Sequence, residues 1–345
     1  MGSEFSNVFA RATGAVGKVE ERVYRIGGCS FRLRYAGEDL RRRLSPSIEH
    51  LASDVTDGDE YVISLWDGAA TGTGPPPLPD EAEQLPDTGL VIGGTDGVRL
   101  IYEVGLRTLS VIDEAAGNSW YWTADAALLP EWSTSTPIRH ILHLALAARG
   151  CQVVHAGAAG RADGGVLFAG RSGSGKSTST LSTLGSSLLY AGDDYVGVGF
   201  AAGGKPYVYS LYNCGKLESD HVKRFPGLRY VARPERDGVS RPWREKTMFY
   251  VKDTYPDQLT SGFPLKAIVI PRISPDEPSR ISELPLATAV RTLVPSTLFE
   301  IHGTGQAALT TLVRAAELAA TLELRVGYDV DAIPTLIGEA LDGLP

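Results

Sequence analysis

The stretch GRSGSGKS, Gly170 to Ser177, constrains the fold more than any other, because it fits G-x-x-x-x-G-K-[ST] at every fixed position. The pattern has meaning only where a strand runs through a turn into a helix, and the apolar GVLFAG before it and a helix-compatible run after it supply that setting. Glycines let backbone N–H groups turn inward around phosphate oxygens, and a helix N-terminus adds positive potential. In such a loop Lys176 reaches the β- and γ-phosphates and the Ser177 hydroxyl can ligand Mg2+. Gly170, Arg171, Ser172, Gly173, Ser174, Gly175, Lys176, Ser177 and Thr178 are therefore the candidate nucleotide-binding residues, with ATP and Mg2+ as the expected cofactors. The competing reading is a Gly/Ser turn that binds nothing.

Two adjacent carboxylates, Asp193 and Asp194, follow the apolar LLYAG. The C-terminal end of a strand in an α/β sheet faces the ligand crevice. There one carboxylate can order the metal shell and the other can take a proton from an attacking hydroxyl. A solvated turn or a helix cap accounts for Asp-Asp as well. His155, between CQVV and the glycine-broken AGAAG, is structural or catalytic on local sequence alone.

The chain has 345 residues, 43% of them hydrophobic, which predicts two domains with a packed core each. Before about residue 130 the apolar pattern has period two: SFRLRY sets Phe31, Leu33 and Tyr35 against Arg32 and Arg34. YVISLW, GVRLIYEV and SWYWTA are rich in aromatic and branched residues, so residues 6–134 are predicted to form a β-rich domain. Within it, Gly68 to Leu90 is too rich in Pro, Gly and acid to build a core and reads as an exposed loop. The opening MGSEF, residues 1–5, looks like a cloning scar and is set outside the predicted fold. At STSTPIRHILHLALAARG the start and stop signals of one helix open a second, α/β domain over residues 135–345, in which short apolar runs alternate with helical stretches such as GQAALTTLVRAAELAATLE.

A net charge of -8 argues against a nucleic-acid partner. Three scattered cysteines, Cys29, Cys151 and Cys214, support neither a disulfide framework nor a zinc site, and suit a reducing cytoplasm. No apolar run approaches a membrane span, and the first residues lack the apolar core of a signal peptide. The expectation is a cytoplasmic protein without a membrane partner.

Order and spacing together carry a resemblance. His155 stands fifteen positions before Gly170, and the Asp193-Asp194 pair begins seventeen positions after Lys176. This resembles the catalytic domain of bacterial HPr serine kinase. The wider layout, with PLKAIVIPRI and LVPSTLFEIHG after the loop, is similar to the HPr-kinase-related peptide kinases of ribosomal peptide clusters, including those for lasso peptides. The resemblance covers roughly residues 135 to 340 and implies an α/β P-loop kinase domain of HPr kinase / PEP carboxykinase-like type behind the β-rich half. It further implies that Lys176 contacts the transferring phosphate, Ser177 and Asp193 hold the metal, Asp194 accepts the proton, and His155 supports it.

Two features depart from the family. Its metal-binding Glu has no counterpart in register, since Glu218 in YVYSLYNCGKLESDHVKRF is displaced. Its phosphate-facing Arg is matched by no single residue among Arg241, Arg244 and Lys246, of which Arg244 and Lys246 are the candidates. Lys216 lines an acceptor cleft or simply begins a helix. Three functions stay open: a kinase acting on a Ser hydroxyl of a peptide or small protein, including the C-terminal Ser of a lasso-type precursor; a sugar or amino-acid kinase; and a nucleotide-controlled binding module.

Overall fold

The computed structural model describes residues 2–55, 58, 60–75, 86, 89–95, 97–225, 227–228, 230, 246–298 and 305–345. Arg241 and Arg244 lie outside them, as does much of the Gly68–Leu90 stretch. Of Lys246 only the backbone, at the start of a strand, is described.

The chain divides into two compact units, Met1–Arg149 and Gly150–Pro345. The first contains a seven-stranded sheet. Its strands are β1 Val19–Ile26, β2 Cys29–Ala36, β3 Tyr61–Asp67, β4 Leu90–Thr95, β5 Val98–Glu103, β6 Thr108–Asp113 and β7 Asn118–Thr123, in the order β1-β2-β3-β7-β6-β5-β4. The alternation that marked these runs is visible in β2, where Phe31, Leu33 and Tyr35 are buried and Arg32 and Arg34 are part-exposed.

Two expectations about this unit need correction. MGSEF is not outside the fold: Gly2–Val16 is a helix, and Phe5 is buried against Trp120 with ring centroids 5.5 Å apart. Phe5, Val8, Phe9 and Ala12 recur at helical spacing, so the apolar face begins within those first residues. The boundary also falls later than residue 135. The helix Arg139–Ala147 packs near β6 and belongs to the first unit, because Ile141, Leu142, Leu144, Ala145 and Leu146 are buried there.

The second unit is a mixed α/β layer structure. Its strands are β8 Gln152–Val154, β9 Ala156–Arg161, β10 Gly164–Ala169, β11 Leu189–Gly192, β12 Val196–Phe200, β13 Pro206–Tyr209, β14 Cys214–Glu218, β15 Lys246–Tyr250, β16 Gly262–Ile273, β17 Arg280–Glu283 and β18 Ala320–Val326. The main sheet runs β11-β9-β10-β16-β13-β12-β8, with β18 also on β16 and β17 on β18; β14 and β15 pair with each other.

Strand β10 is apolar throughout because both its faces are covered. Leu167 and Ala169 face one core with the helices Leu286–Leu298 and Gly305–Leu318, while Val166 and Phe168 face another with Ile333, Ile337 and Leu341 of the helix Ile333–Asp342. The run GQAALTTLVRAAELAATLE is helical only to Leu318; from Ala320 it enters β18, where Leu322, Leu324 and Val326 alternate at period two. Among the described residues, no helix is long and apolar enough to cross a membrane.

Candidate functional site

Sheet register gathers the motifs at one edge. Strand β10 is parallel to β16, β16 is parallel to β18, and β9 is antiparallel to both β10 and β11, so β10, β11, β16 and β18 all point the same way. Ala169, the last residue of β10, lies opposite Ala156, the first of β9, and Gly192 at the end of β11 pairs with Ala158. The Gly170–Gly175 turn, His155 and Asp193-Asp194 therefore leave the sheet at the same edge, with His155 one strand spacing, about 4.8 Å, from each of the other two and those two about twice that apart. This edge holds the C-terminal strand ends, where open α/β sheets place ligands.

The loop has the local form its sequence requires. Gly173 and Gly175 take φ values of 77° and 101°, a left-handed conformation open to glycine, and the helix Lys176–Leu181 starts directly after Gly175. Arg171, Ser172 and Gly173 are exposed at the tip. Lys176 turns back over the loop and donates from Nζ to the carbonyl oxygens of Gly170 at 2.7 Å and Arg171 at 3.1 Å. Ser174 Oγ is buried without a protein hydrogen-bond partner among the described residues. An unsatisfied hydroxyl within a turn of glycines and a lysine suits an oxygen-rich anion.

Beside the loop, Asp194 is held from two sides. Its Oδ2 accepts from Lys216 Nζ at 2.8 Å, and its Oδ1 lies 3.3 Å from His155 Nε2. His155 Nδ1 is 3.3 Å from the Ser296 carbonyl oxygen, and its ring tilts against Tyr195 at 5.7 Å. Burial pushes the Asp194 carboxyl up, but the Lys216 charge and the His155 hydrogen bond outweigh it and hold it well below the usual carboxylate range. Burial acts downward on Lys216, and the Asp194 charge reverses this, raising the ammonium above its ordinary value. Asp194 also has φ 78°, uncommon for a residue with a side chain and a form of strain found where a group must be aimed. Asp193, one residue earlier, is 1% exposed.

Of the residues singled out in the sequence, His155 and Asp194 are in contact, and Lys176, Ser177 and Asp193 follow strand ends at the same sheet edge. Lys216 does not begin a helix; it sits inside β14, opposite Met248 of β15, because NCGKLE pairs with KTMFY. Its bond to Asp194 spans 22 positions, and no local pattern signals it. The Ser296 carbonyl is equally silent, since any residue supplies one.

Ser177 and Asp193 offer one hydroxyl and one carboxylate, a hard-oxygen set that suits Mg2+, which fills its other positions with water and phosphate oxygens. Among the described residues, no group of three or more His, Cys, Asp or Glu forms a metal cage.

No family model matches the sequence, and no curated protein does. Among solved structures, the chain is similar to an HPr(Ser) kinase/phosphatase from Coxiella burnetii at 11% identity and a TM-score of 0.27, over 56% of this chain and 95% of that one. A likeness that faint carries no argument. The functional reading rests on the site itself.

Proposed function

We propose that the chain is a kinase that uses ATP and Mg2+ to phosphorylate a Ser hydroxyl on a peptide or small protein. The observation that carries the reading is the meeting, at one sheet edge, of the Gly170–Ser177 loop with a fixed carboxylate, Asp194, and its His155 and Lys216 supports. The loop and Lys176 would hold the triphosphate, and Ser177 and Asp193 would hold Mg2+, which would supply charge neutralisation at the phosphates. Asp194 orients the acceptor hydroxyl and takes its proton. The Lys216 charge and the His155 contact keep that carboxyl ionised and so able to accept the proton, while the acceptor oxygen bonds to the γ-phosphorus and the nucleoside diphosphate leaves.

A peptide acceptor is favoured over a metabolite by the first unit. Its sheet ends in β4, whose outer edge carries no strand among the described residues and whose Ile92 is exposed. An extended peptide can add to such an edge through backbone hydrogen bonds. Lasso-type precursors ending in Ser are the acceptors to try first.

Mixing the protein with ATP, Mg2+ and candidate peptides should add one phosphate to a Ser, read by mass spectrometry, with free serine a very poor substrate and the first unit required for efficient turnover. Free serine or a sugar phosphorylated as fast as any peptide at comparable concentrations overturns the peptide reading.

A further inference from the structure

On the far side of the loop from the acidic pair, the sheet edge turns apolar. Strands β16 and β18 end there, with Ile273 opposite Val326. A Cβ built on Gly175 would lie 3.4 Å from Val326 Cγ2, 3.5 Å from Ile273 Cγ1 and 3.7 Å from Pro271 Cβ, so this ledge touches the start of the Lys176 helix. Ile273 is 56% exposed and Tyr328, two residues past Val326, is 69% exposed.

The backbone beneath them is tied down. Ser274 N–H donates to the Val326 carbonyl at 2.8 Å, Gly327 N–H to Ser279 Oγ at 3.0 Å, Tyr328 N–H to the Glu277 carbonyl at 3.2 Å, and Ser279 N–H to Asp329 Oδ1 at 2.6 Å. Gly327 is obligatory, because a Cβ there would collide with the Glu277 carbonyl oxygen. A large aromatic left in water on so fixed a backbone is a preorganised contact surface.

We infer that the exposed Ile273 and Tyr328, with the buried Pro271 and Val326 behind Ile273, form the subsite for the base of the nucleoside triphosphate, an inference that rests on the kinase reading. Direction decides it. The γ-phosphate must point to Asp193 and Asp194 on the β11 side of the loop, so the nucleoside leaves on the opposite side, across the ends of β16 and β18. The end of β18 is two strand spacings, about 10 Å, from that of β10. That is a nucleoside's reach. The base would lie against Ile273 and the Tyr328 ring, apolar contact and stacking that any base can make.

The test is the paired substitution Ile273→Ser with Tyr328→Ser, at exposed positions whose loss leaves the core untouched. Binding of ATP and of inorganic tripolyphosphate is measured by calorimetry on the wild-type and variant full chains. ATP affinity should fall about tenfold or more, while tripolyphosphate affinity stays at the wild-type value. Equal ATP affinity in both proteins, with tripolyphosphate bound, overturns the subsite and leaves the kinase reading standing. Failure of the wild-type protein to bind either ligand overturns both. A drop in oligomer size for the variant on a sizing column, with ATP affinity unchanged, assigns the ledge to contact between copies of the chain instead.

Discussion

Asp194→Asn is expected to slow phosphoryl transfer about 10^2-fold or more while ATP affinity stays near that of the wild type. The amide keeps the size of the carboxylate and one acceptor oxygen, but its NH2 only donates and it cannot accept a proton. A second effect comes from Lys216, whose Nζ lies 2.8 Å from Asp194 Oδ2 with its side chain 10% exposed. Breaking a fully buried pair costs roughly 3–5 kcal/mol, and the 19% exposure of Asp194 places this one at the low end. Thermal unfolding must therefore accompany the single-turnover rates. Combining Asp194→Asn with Lys216→Met removes both charges, and the double variant should recover stability but not turnover.

The pH dependence has a definite sign. Asp194, lowered in the fold, contributes stability above the ordinary carboxylate range, near 3.9, and loses it as pH falls through its native value. Lys216, raised in the fold, contributes stability below about 10.4 and loses it as pH rises through its native value. The pair thus holds across neutral pH. Asp193→Asn should instead raise the Mg2+ requirement. If Asp193→Asn damages the chemical step more, and Asp194→Asn only shifts the Mg2+ requirement, the two roles are exchanged.

The sequence made the strand-loop-helix of Gly164 to Leu181 legible because every part of it is local: an apolar run, glycines at left-handed positions, then a helix. The alternating strands of the first unit were readable for the same reason, since period two is written in neighbouring residues. Misreadings arose where distant packing decides. The Arg139–Ala147 helix carries clean start and stop signals, yet nothing in them says which core receives its apolar face. Residues 2–5 looked dispensable until Phe5 is seen against Trp120, a pairing 115 positions apart by their numbers. Lys216 shows the limit most sharply. A lysine after NCG reads as a helix start or a solvated charge, and only the placement of β14 beside the Asp194 turn makes it the partner of a carboxylate.

Lys176→Ala should lower both nucleotide affinity and turnover, the latter by roughly 10^2- to 10^3-fold, the usual loss for one donor aimed at developing charge. On the proposed reading the two fall together, since the ammonium would contact phosphate before and during transfer. In the present structure Nζ donates to the Gly170 and Arg171 carbonyls instead, at 7% exposure. Those bonds keep the charge satisfied and the loop folded over it. On the proposed reading, phosphate binding would exchange two neutral acceptors for a charged one, a charge-assisted gain. Alanine loses that gain and also the bonds that shape the resting loop. The damage should stay local, because the strand before the loop is held on both faces by the cores around Leu167 and Phe168. Circular dichroism should match the wild type while calorimetry shows weakened binding of both ATP and tripolyphosphate. Unchanged turnover in a folded Lys176→Ala protein would remove the Gly170–Ser177 loop from the chemistry, and the kinase assignment with it.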